Sequence, residues 1–144
     1  MEIEVVRLSP VATLPVYAHQ GDAGCDLIAA EEAVLAPAGG RALIGTGIAI
    51  AVPEGHGAFV LPRSGLSTKH GVTCVNSPGL IDAGYRGEVR VSLVNLDPAA
   101  EYHVKVGDRI AQLVVLPVPS LSFRVVDELT DATRGVDGFG STGR

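Results

Sequence analysis

The stretch GEVRVSLVNL, residues 87–96, decides the fold class because its apolar and polar side chains alternate. Val89, Val91 and Leu93 alternate with Arg90 and Ser92, which is the period of a β-strand with one buried face. The chain contains 18 glycines and 9 prolines, and they separate short stretches rich in valine, isoleucine, leucine and alanine. Short strands divided by turn residues at this spacing predict an all-β sandwich or barrel.

Other stretches of the same kind lie before and after this one. They read EIEVVRL at 2–8, RALIGTGIAIAV at 41–52, GAFVLP at 57–62, DRIAQLVVLPV at 108–118 and LSFRVV at 121–126. The segment SGLSTKHG, residues 64–71, is the only one that favours a helix, and it is long enough for one or two turns. The sequence therefore predicts many strands and one short helix.

The composition limits the classes of partner. The formal net charge is −5, so a broad basic face for polymeric nucleic acid is not expected, although a few arginines can still bind a small phosphorylated ligand. The acidic start MEIEVVRLSP does not resemble a signal peptide, and no apolar run approaches the length of a membrane span. Cys25 and Cys74 have no metal or redox spacing. We expect a soluble, cytoplasmic protein with no membrane association.

The last segment differs from the rest in composition. DELTDATRGVDGFGSTGR, residues 127–144, is polar and rich in glycine, with one aromatic residue, so it cannot bury a core of its own. We therefore predict a β domain over residues 1–126 and a mobile arm over residues 127–144 that becomes ordered against another surface.

Five segments combine glycine with polar or charged residues, and the strands between them are plain. They are GDAGCDL (21–27), PRSGLS (62–67), NSPGLIDAGYRGEV (76–89), GDRIAQL (107–113) and RGVDGFGSTG (134–143). In this order they resemble the five motifs of the trimeric deoxyuridine triphosphate nucleotidohydrolases, the dUTPase family, over nearly the whole chain. GLIDAGYRG and GFGSTG are the most specific of these pieces.

The resemblance implies a fold and an activity. The fold is a jelly-roll of the β-clip type, a distorted barrel, assembled as a homotrimer. The activity is the hydrolysis of dUTP to dUMP and pyrophosphate, which limits uracil in DNA and supplies dUMP for thymidylate synthesis. Each site would combine phosphate motifs from one subunit, a uracil-reading hairpin from a second and the arm from the third.

The resemblance assigns base recognition to the hairpin at residues 76–90. Uracil presents one donor between two acceptors, and main-chain groups with one side-chain amide can match that pattern. Tyr85 would pack on the deoxyribose and exclude a 2′-hydroxyl, while the tight hairpin would exclude the methyl group of thymine. The residues expected to contact the base are Asn76, Gly79, Leu80, Ile81 and Arg90.

Catalysis is assigned by the resemblance to Asp82 and Gln112. Asp82 would position and deprotonate a water molecule that attacks the α-phosphorus, and Gln112 would help to hold the water and the phosphates. A carboxylate is a weak base at neutral pH, but it suffices where the water is aligned and the phosphate charge is neutralised.

Phosphate binding is expected at the start of the short helix, where Arg63, Ser64 and Gly65 would contact the triphosphate. Mg²⁺ prefers oxygen ligands, keeps several waters and usually binds through substrate phosphates. The resemblance implies that Asp26 contacts this ion through water.

The arm would close the site, and one of its positions departs from the family pattern. Asp137 stands where the family usually has glycine, and a carboxylate near a triphosphate should repel it. The arm residues expected to contact the nucleotide are Arg134, Phe139, Gly140, Ser141 and Thr142.

Two alternatives remain open from the residues. A deoxycytidine triphosphate deaminase has the same fold, but its hairpin is differently worded and its product is ammonia. A non-catalytic nucleotide-binding module would keep the fold without turnover, and Asp137 is the only residue that favours it.

Overall fold

The computed structural model of the chain describes residues 1–130. The elements in chain order are β1 (Glu4–Arg7), β2 (Cys25–Ile28), β3 (Ala33–Leu35), β4 (Gly40–Ala51), β5 (His56–Leu61), α1 (Ser64–His70), β6 (Val72–Cys74), β7 (Gly79–Ile81), β8 (Glu88–Asn95), β9 (Tyr102–Val104) and β10 (Arg109–Pro117). The prediction of an all-β fold with one short helix is confirmed.

Two four-stranded sheets and one small two-stranded sheet make up this part of the chain. The first sheet has the order β1-β4-β8-β6, and the second has the order β2-β10-β5-β7. β3 and β9 form the two-stranded sheet, and the ladders between all these strands are antiparallel. Two sheets of four strands are the architecture of a jelly-roll, as the resemblance implied.

β8 shows why the alternating stretch determined the fold class. Val89, Val91 and Leu93 are each at most 1% exposed, while Arg90 between them is exposed. The buried residues belong to a single cluster of aliphatic side chains that draws on both large sheets. Side chains that point alternately to the two faces of a strand therefore place β8 with one face in the core.

The helix ends where glycine permits a left-handed residue. Gly71 has φ 65°, and its N–H donates to the carbonyl of Ser67 at 3.0 Å. A Cβ atom at this position would lie 2.8 Å from the backbone nitrogen of Asp97, so both the conformation and the close approach require glycine.

The predicted strand at 121–126 is wrong for this chain. Residues 118–126 have no strand partner among the described residues, and Leu121, Phe123 and Val125 are 75%, 92% and 99% exposed. The alternation in LSFRVV is that of a strand, but a strand also needs a neighbouring strand to hydrogen-bond with, and the described part of the chain provides none there.

Candidate active site

A buried carboxylate joins two arginines at one end of the second sheet. Asp26 on β2 is 3% exposed. Its Oδ1 accepts a hydrogen bond from Arg63 Nε at 2.9 Å, and its Oδ2 accepts one from Arg109 Nη1 at 3.3 Å. Arg63 Nη1 also donates to the carbonyl of Arg109 at 3.2 Å. Charged hydrogen bonds to Asp26 therefore orient both guanidinium groups.

Gln112 lies in the same place because of the strand register. On β10 it pairs with Asp26 of β2 on one side and with Leu61 of β5 on the other. Arg63 follows Leu61 by two residues and forms the N-cap of α1, where no side chain caps the helix. Ser64 and Gly65 open the helix and are exposed. The structure therefore brings these five predicted residues together.

A groove of about 400 Å³ runs along this region and carries more positive than negative charge. Its lining residues are Arg63, Gly65, Leu66, Lys69, His70, Tyr102, Asp108 and Arg109. Burial raises the pKa of Tyr102, and the Asp108 carboxylate adds to the shift, while Arg63 opposes it. Sequence reasoning overlooked Arg109, although it lies inside the motif GDRIAQL.

The second group of predicted residues surrounds a cleft between β7 and β8. The cleft measures about 310 Å³. It is lined by Leu43, Leu80, Ile81, Asp82, Tyr85, Glu88, Val89 and Arg90. Asp82 is exposed at the turn that follows β7, and its carbonyl accepts a hydrogen bond from the N–H of Tyr85 at 3.0 Å. The turn thus presents the acid at the mouth of the cleft.

The predicted hairpin needs one correction. β7 is the edge strand of the second sheet and pairs with β5, whereas β8 pairs with β4 and β6 in the first sheet. The two strands follow each other in the chain but do not form a ladder together. An edge strand leaves backbone donors and acceptors unpaired on its outer side, so the separation keeps main-chain groups available to a ligand.

Two glycines allow the close packing at the ends of this cleft. Gly79 is buried, and a Cβ atom there would lie 3.1 Å from Nδ2 of Asn76. Tyr85 folds over Gly87 and donates its hydroxyl proton to the carbonyl of Glu88 at 3.0 Å. Asn76 and Tyr85 are therefore both positioned by contacts that a side chain at the neighbouring glycine would disturb.

Arg90 has a side-chain role that the sequence did not reveal. Its Nη2 donates to Glu31 at 2.9 Å and to the carbonyl of Leu43 at 3.1 Å. Its Nε lies 3.9 Å from the carboxylate of Glu88. Glu31 is 59 residues away in sequence, so no local pattern links it to this cleft.

The groove and the cleft lie at opposite ends of β5. Ile81 pairs with Ala58, so Asp82 follows beside Gly57, and Gly57 precedes Arg63 by six residues (63 − 57). Six residues of strand span roughly 20 Å. Within one chain, Asp82 is thus well separated from Arg63 and Gln112, and the two predicted catalytic residues are not brought together.

The predicted arm contacts lie in a part of the chain that the structure does not describe. Residues 131–144, which include the predicted contacts Arg134, Phe139, Gly140, Ser141 and Thr142, lie outside the described residues. Residues 1–130 contain no group of three or more histidine, cysteine, aspartate or glutamate side chains placed to hold a metal ion. No helix within these residues is long and apolar enough to cross a membrane.

The described residues thus form an arginine-lined groove and an edge-strand cleft with an exposed acid. Comparison with known proteins gives the family. The model of the dUTPase family matches residues 11–143. The chain is 57% identical over 143 residues to the deoxyuridine 5′-triphosphate nucleotidohydrolase of Thermobifida fusca, covering 99% of this chain and 79% of the relative. It is 59% identical over 130 residues to that of Leifsonia xyli, covering 90% and 85% of the two chains.

The solved structures agree with this comparison. The dUTPase of Staphylococcus bacteriophage 80alpha with dUPNHPP has a TM-score of 0.93 and 31% identity, with 99% of each chain covered. A mutant dUTPase from phage phi11 of S. aureus, whose structure describes the coordination of a structural Mg(II) ion, has a TM-score of 0.84 and 29% identity, covering 91% of this chain and 100% of that one. The chain belongs to the dUTPase family, as its motifs predicted.

Proposed function

We propose that this chain hydrolyses dUTP to dUMP and pyrophosphate, with the base in the cleft between β7 and β8. One observation carries the assignment to this cleft: the exposed carboxylate of Asp82 stands where an unpaired edge of backbone meets the aromatic ring of Tyr85. The backbone edge can pair with a base, the aromatic ring can pack on a sugar, and the carboxylate can activate water beside the attacked phosphorus.

The main chain of β7 recognises uracil. Gly79, Leu80 and Ile81 offer backbone groups on the side that faces away from β5, and Asn76 adds an amide beside Gly79. The backbone of Arg90 contacts the base from the other wall of the cleft. Cytosine would leave polar groups mispaired in this arrangement, and such mismatches cost factors of about 10⁴ in rate.

Tyr85 selects the sugar. Its hydroxyl is occupied by the carbonyl of Glu88, so the ring is held in one orientation over Gly87. A ring fixed against the C2′ edge of the sugar leaves no space for the 2′-hydroxyl of a ribonucleotide. The specificity for deoxyribose therefore depends on how firmly this ring is held.

Asp82 holds and deprotonates the attacking water, and Gln112 helps to orient the water and the phosphates. Proton transfer to a positioned side chain contributes typically 10²- to 10⁴-fold to a rate. The bond from the water oxygen to the α-phosphorus forms as the bond to the pyrophosphate oxygen breaks, and the proton passes to the carboxylate. Pyrophosphate leaves, and dUMP remains.

The groove at the start of α1 holds the triphosphate. Arg63 supplies charge-assisted hydrogen bonds, and the uncapped backbone of Ser64 and Gly65 supplies N–H donors. A divalent ion, Mg²⁺, would be carried by the phosphates, since this ion keeps several waters and usually binds through substrate phosphates. When bound, it would neutralise phosphate charge. Asp26 would contact it through water, with the lone pairs that the two arginines leave free.

A homotrimer completes the site. Asp82 and Arg63 lie roughly 20 Å apart along β5, which is too far for both to act on one α-phosphorus. Copies of the chain that place the groove of one subunit against the cleft of another remove this separation. The exposed alternating segment around Leu121, Phe123 and Val125 is a surface that such an assembly would cover.

The arm closes the site from a further subunit. Residues 127–144 form this arm, with Arg134 toward the γ-phosphate, Phe139 on the uracil ring and Gly140, Ser141 and Thr142 around the phosphates.

We also infer a cytoplasmic location, which is supported by the two free thiols Cys25 and Cys74.

The test is incubation of the purified chain with a panel of deoxynucleoside triphosphates and Mg²⁺. We expect pyrophosphate and dUMP from dUTP alone. Ammonia release from dCTP would contradict the proposal in favour of a deaminase. Tight binding of dUTP without pyrophosphate would contradict it in favour of a non-catalytic module.

A further inference from the structure

The beginning of β8 is tied to an irregular part of β4 by two carboxylates. The pairing of β4 with β8 shifts register between Gly45 and Ala49. The N–H of Gly45 donates to Glu31 Oε1 at 2.5 Å, and the N–H of Gly47 donates to Glu88 Oε1 at 2.8 Å. The two side chains thus satisfy backbone donors that the interrupted ladder leaves without a strand partner.

Glycine is required at the centre of this arrangement. A Cβ atom on Gly45 would lie 2.6 Å from Glu88 Oε1 and 3.3 Å from the carboxyl carbon of Glu31. Gly47 has φ 68°, a left-handed conformation that favours glycine. Both carboxylates therefore approach the backbone at Gly45 and Gly47, where a residue other than glycine would not fit.

Arg90 lies between the two acids and relieves their repulsion. Its guanidinium is 2.9 Å from Glu31 and 3.9 Å from Glu88. Like charges this close would otherwise destabilise each other, and the bifurcated guanidinium is suited to two carboxylates. We name Glu31, Glu88 and Arg90, with the backbone of Gly45 and Gly47, the carboxylate clamp.

The carboxylate clamp is connected directly to Tyr85. The carbonyl that accepts the Tyr85 hydroxyl belongs to Glu88, the residue whose side chain holds Gly47. The position of this carbonyl depends on where β8 begins, and the clamp fixes that point against β4. Thr46 adds a buried hydrogen bond from its hydroxyl to the carbonyl of Val89 at 2.5 Å.

We propose that Glu88 is a positioning residue for sugar selection: its side chain fixes the carbonyl that holds the ring of Tyr85, and Glu31 supports it through Arg90. This inference rests on the proposed function, because it takes Tyr85 as the group that excludes ribose. Glu88 acts through Tyr85. Its loss should therefore reduce the preference for dUTP over UTP in a chain that still folds.

The experiment measures kcat/KM for dUTP and for UTP in Glu88→Ala, Glu88→Gln and the control Glu32→Ala. Glu32 is exposed and makes no hydrogen bond or ion pair within the described residues. We expect Glu88→Ala to reduce the dUTP/UTP ratio about tenfold, the factor that accompanies the loss of one hydrogen bond to a charged group. Glu88→Gln keeps an oxygen for the Gly47 N–H, and we expect a reduction of about threefold. Glu32→Ala should match the parent chain.

A double-mutant cycle with Tyr85→Phe distinguishes positioning from a purely structural role. If Glu88 acts through the Tyr85 hydroxyl, the combined variant Glu88→Gln with Tyr85→Phe should be no worse in the ratio than Tyr85→Phe alone. Additive losses, or an unchanged ratio in Glu88→Gln and in a folded Glu88→Ala, would overturn the inference. A parent chain that fails to hydrolyse dUTP, or that accepts UTP equally well, would instead overturn the proposed function.

Discussion

Arg63 reaches across a whole strand to hold Asp26. Asp26 belongs to β2, and Arg63 follows the end of β5; these two strands do not touch, because β10 lies between them in the sheet. The hydrogen bond of 2.9 Å passes the position of Gln112, whose register neighbours are Asp26 and Leu61. The arginine that is proposed to bind phosphate is therefore anchored by a buried acid two strands away in the same sheet.

Asp26→Asn should weaken both the fold and phosphate binding. The amide keeps one acceptor, but it loses the charge that holds Arg63 and Arg109, and hydrogen bonds to charged groups contribute about 1.5–3 kcal/mol. We expect the free energy of unfolding in urea to fall by about 2 kcal/mol and KM for dUTP to rise. Asp22→Asn is the matched control, since Asp22 is exposed and only accepts a backbone N–H from His19. Equal stability of the two variants would refute the role of Asp26.

Asp82→Asn should abolish turnover and spare binding. The variant keeps the shape of the side chain but cannot accept a proton from water, so kcat should fall by about 10²- to 10⁴-fold. Pyrophosphate release gives kcat, and calorimetric titration with a non-hydrolysable dUTP analogue gives Kd. A rate within threefold of the parent chain would show that another group is the base.

Gly87→Ala and Gly84→Ala form a matched pair in one turn. A Cβ atom on Gly87 would collide with the hydroxyl end of the Tyr85 ring, whereas one on Gly84 would meet nothing within 4 Å. We expect Gly87→Ala to displace the ring, raise KM for dUTP and reduce discrimination against UTP. Gly84→Ala should behave as the parent chain. Identical kinetics in the two variants would mean that the ring position does not matter.

Removal of residues 131–144 should cut the rate without unfolding the domain. The buried core draws its residues from positions between Ala12 and Leu113, so the shortened chain retains all of them. We expect an unchanged Tm and a strongly reduced kcat/KM for dUTP, because Arg134 and Phe139 are lost. The full-length Asp82→Asn variant lacks the proposed base but keeps the arm. Mixed trimers of this variant with the shortened chain should therefore recover part of the activity. Unchanged kinetics of the shortened chain would dismiss the arm.

The buried thiol of Cys74 should make stability fall at alkaline pH. Burial raises the pKa of Cys74 from its ordinary 9.0 to about 11. Between these values the unfolded chain has lost the thiol proton and the folded chain keeps it. The contribution of the buried thiol to the free energy of unfolding is therefore intact below pH 9 and is lost as pH rises to 11. The loss should be about 1–3 kcal/mol. Urea unfolding at pH 8 and pH 10.5 should show a steeper decline in the parent chain than in Cys74→Ala, and parallel declines would contradict the assignment.

The sequence predicted those features that depend on local pattern. The alternation around Val89 and Val91 correctly gave a strand with one face in the core, and Gly71 correctly ended the short helix. The segment at 121–126 has the same local pattern, yet it forms no strand, because pairing depends on a neighbour that the pattern does not contain.

The relations between distant residues were not accessible in this way. The resemblance named Asp82 and Gln112 together, but only the register of β7 on β5 reveals that they lie far apart within one chain. The contact between Glu31 and Arg90 spans 59 residues and depends on a register shift in β4. Neither the separation nor the contact follows from the spacing of residues in the sequence, since both depend on the strand order and register of the two sheets.

The placement of β7 and β8 in separate sheets has a consequence for evolution of this protein. The two walls of the cleft that we propose for the nucleobase belong to different sheets, so the distance between them depends on how the shared core packs. A smaller side chain in that interior, far from any ligand, would let the halves settle closer and narrow the slot. In this proposal, selectivity for a pyrimidine depends on the distance between the two sheets.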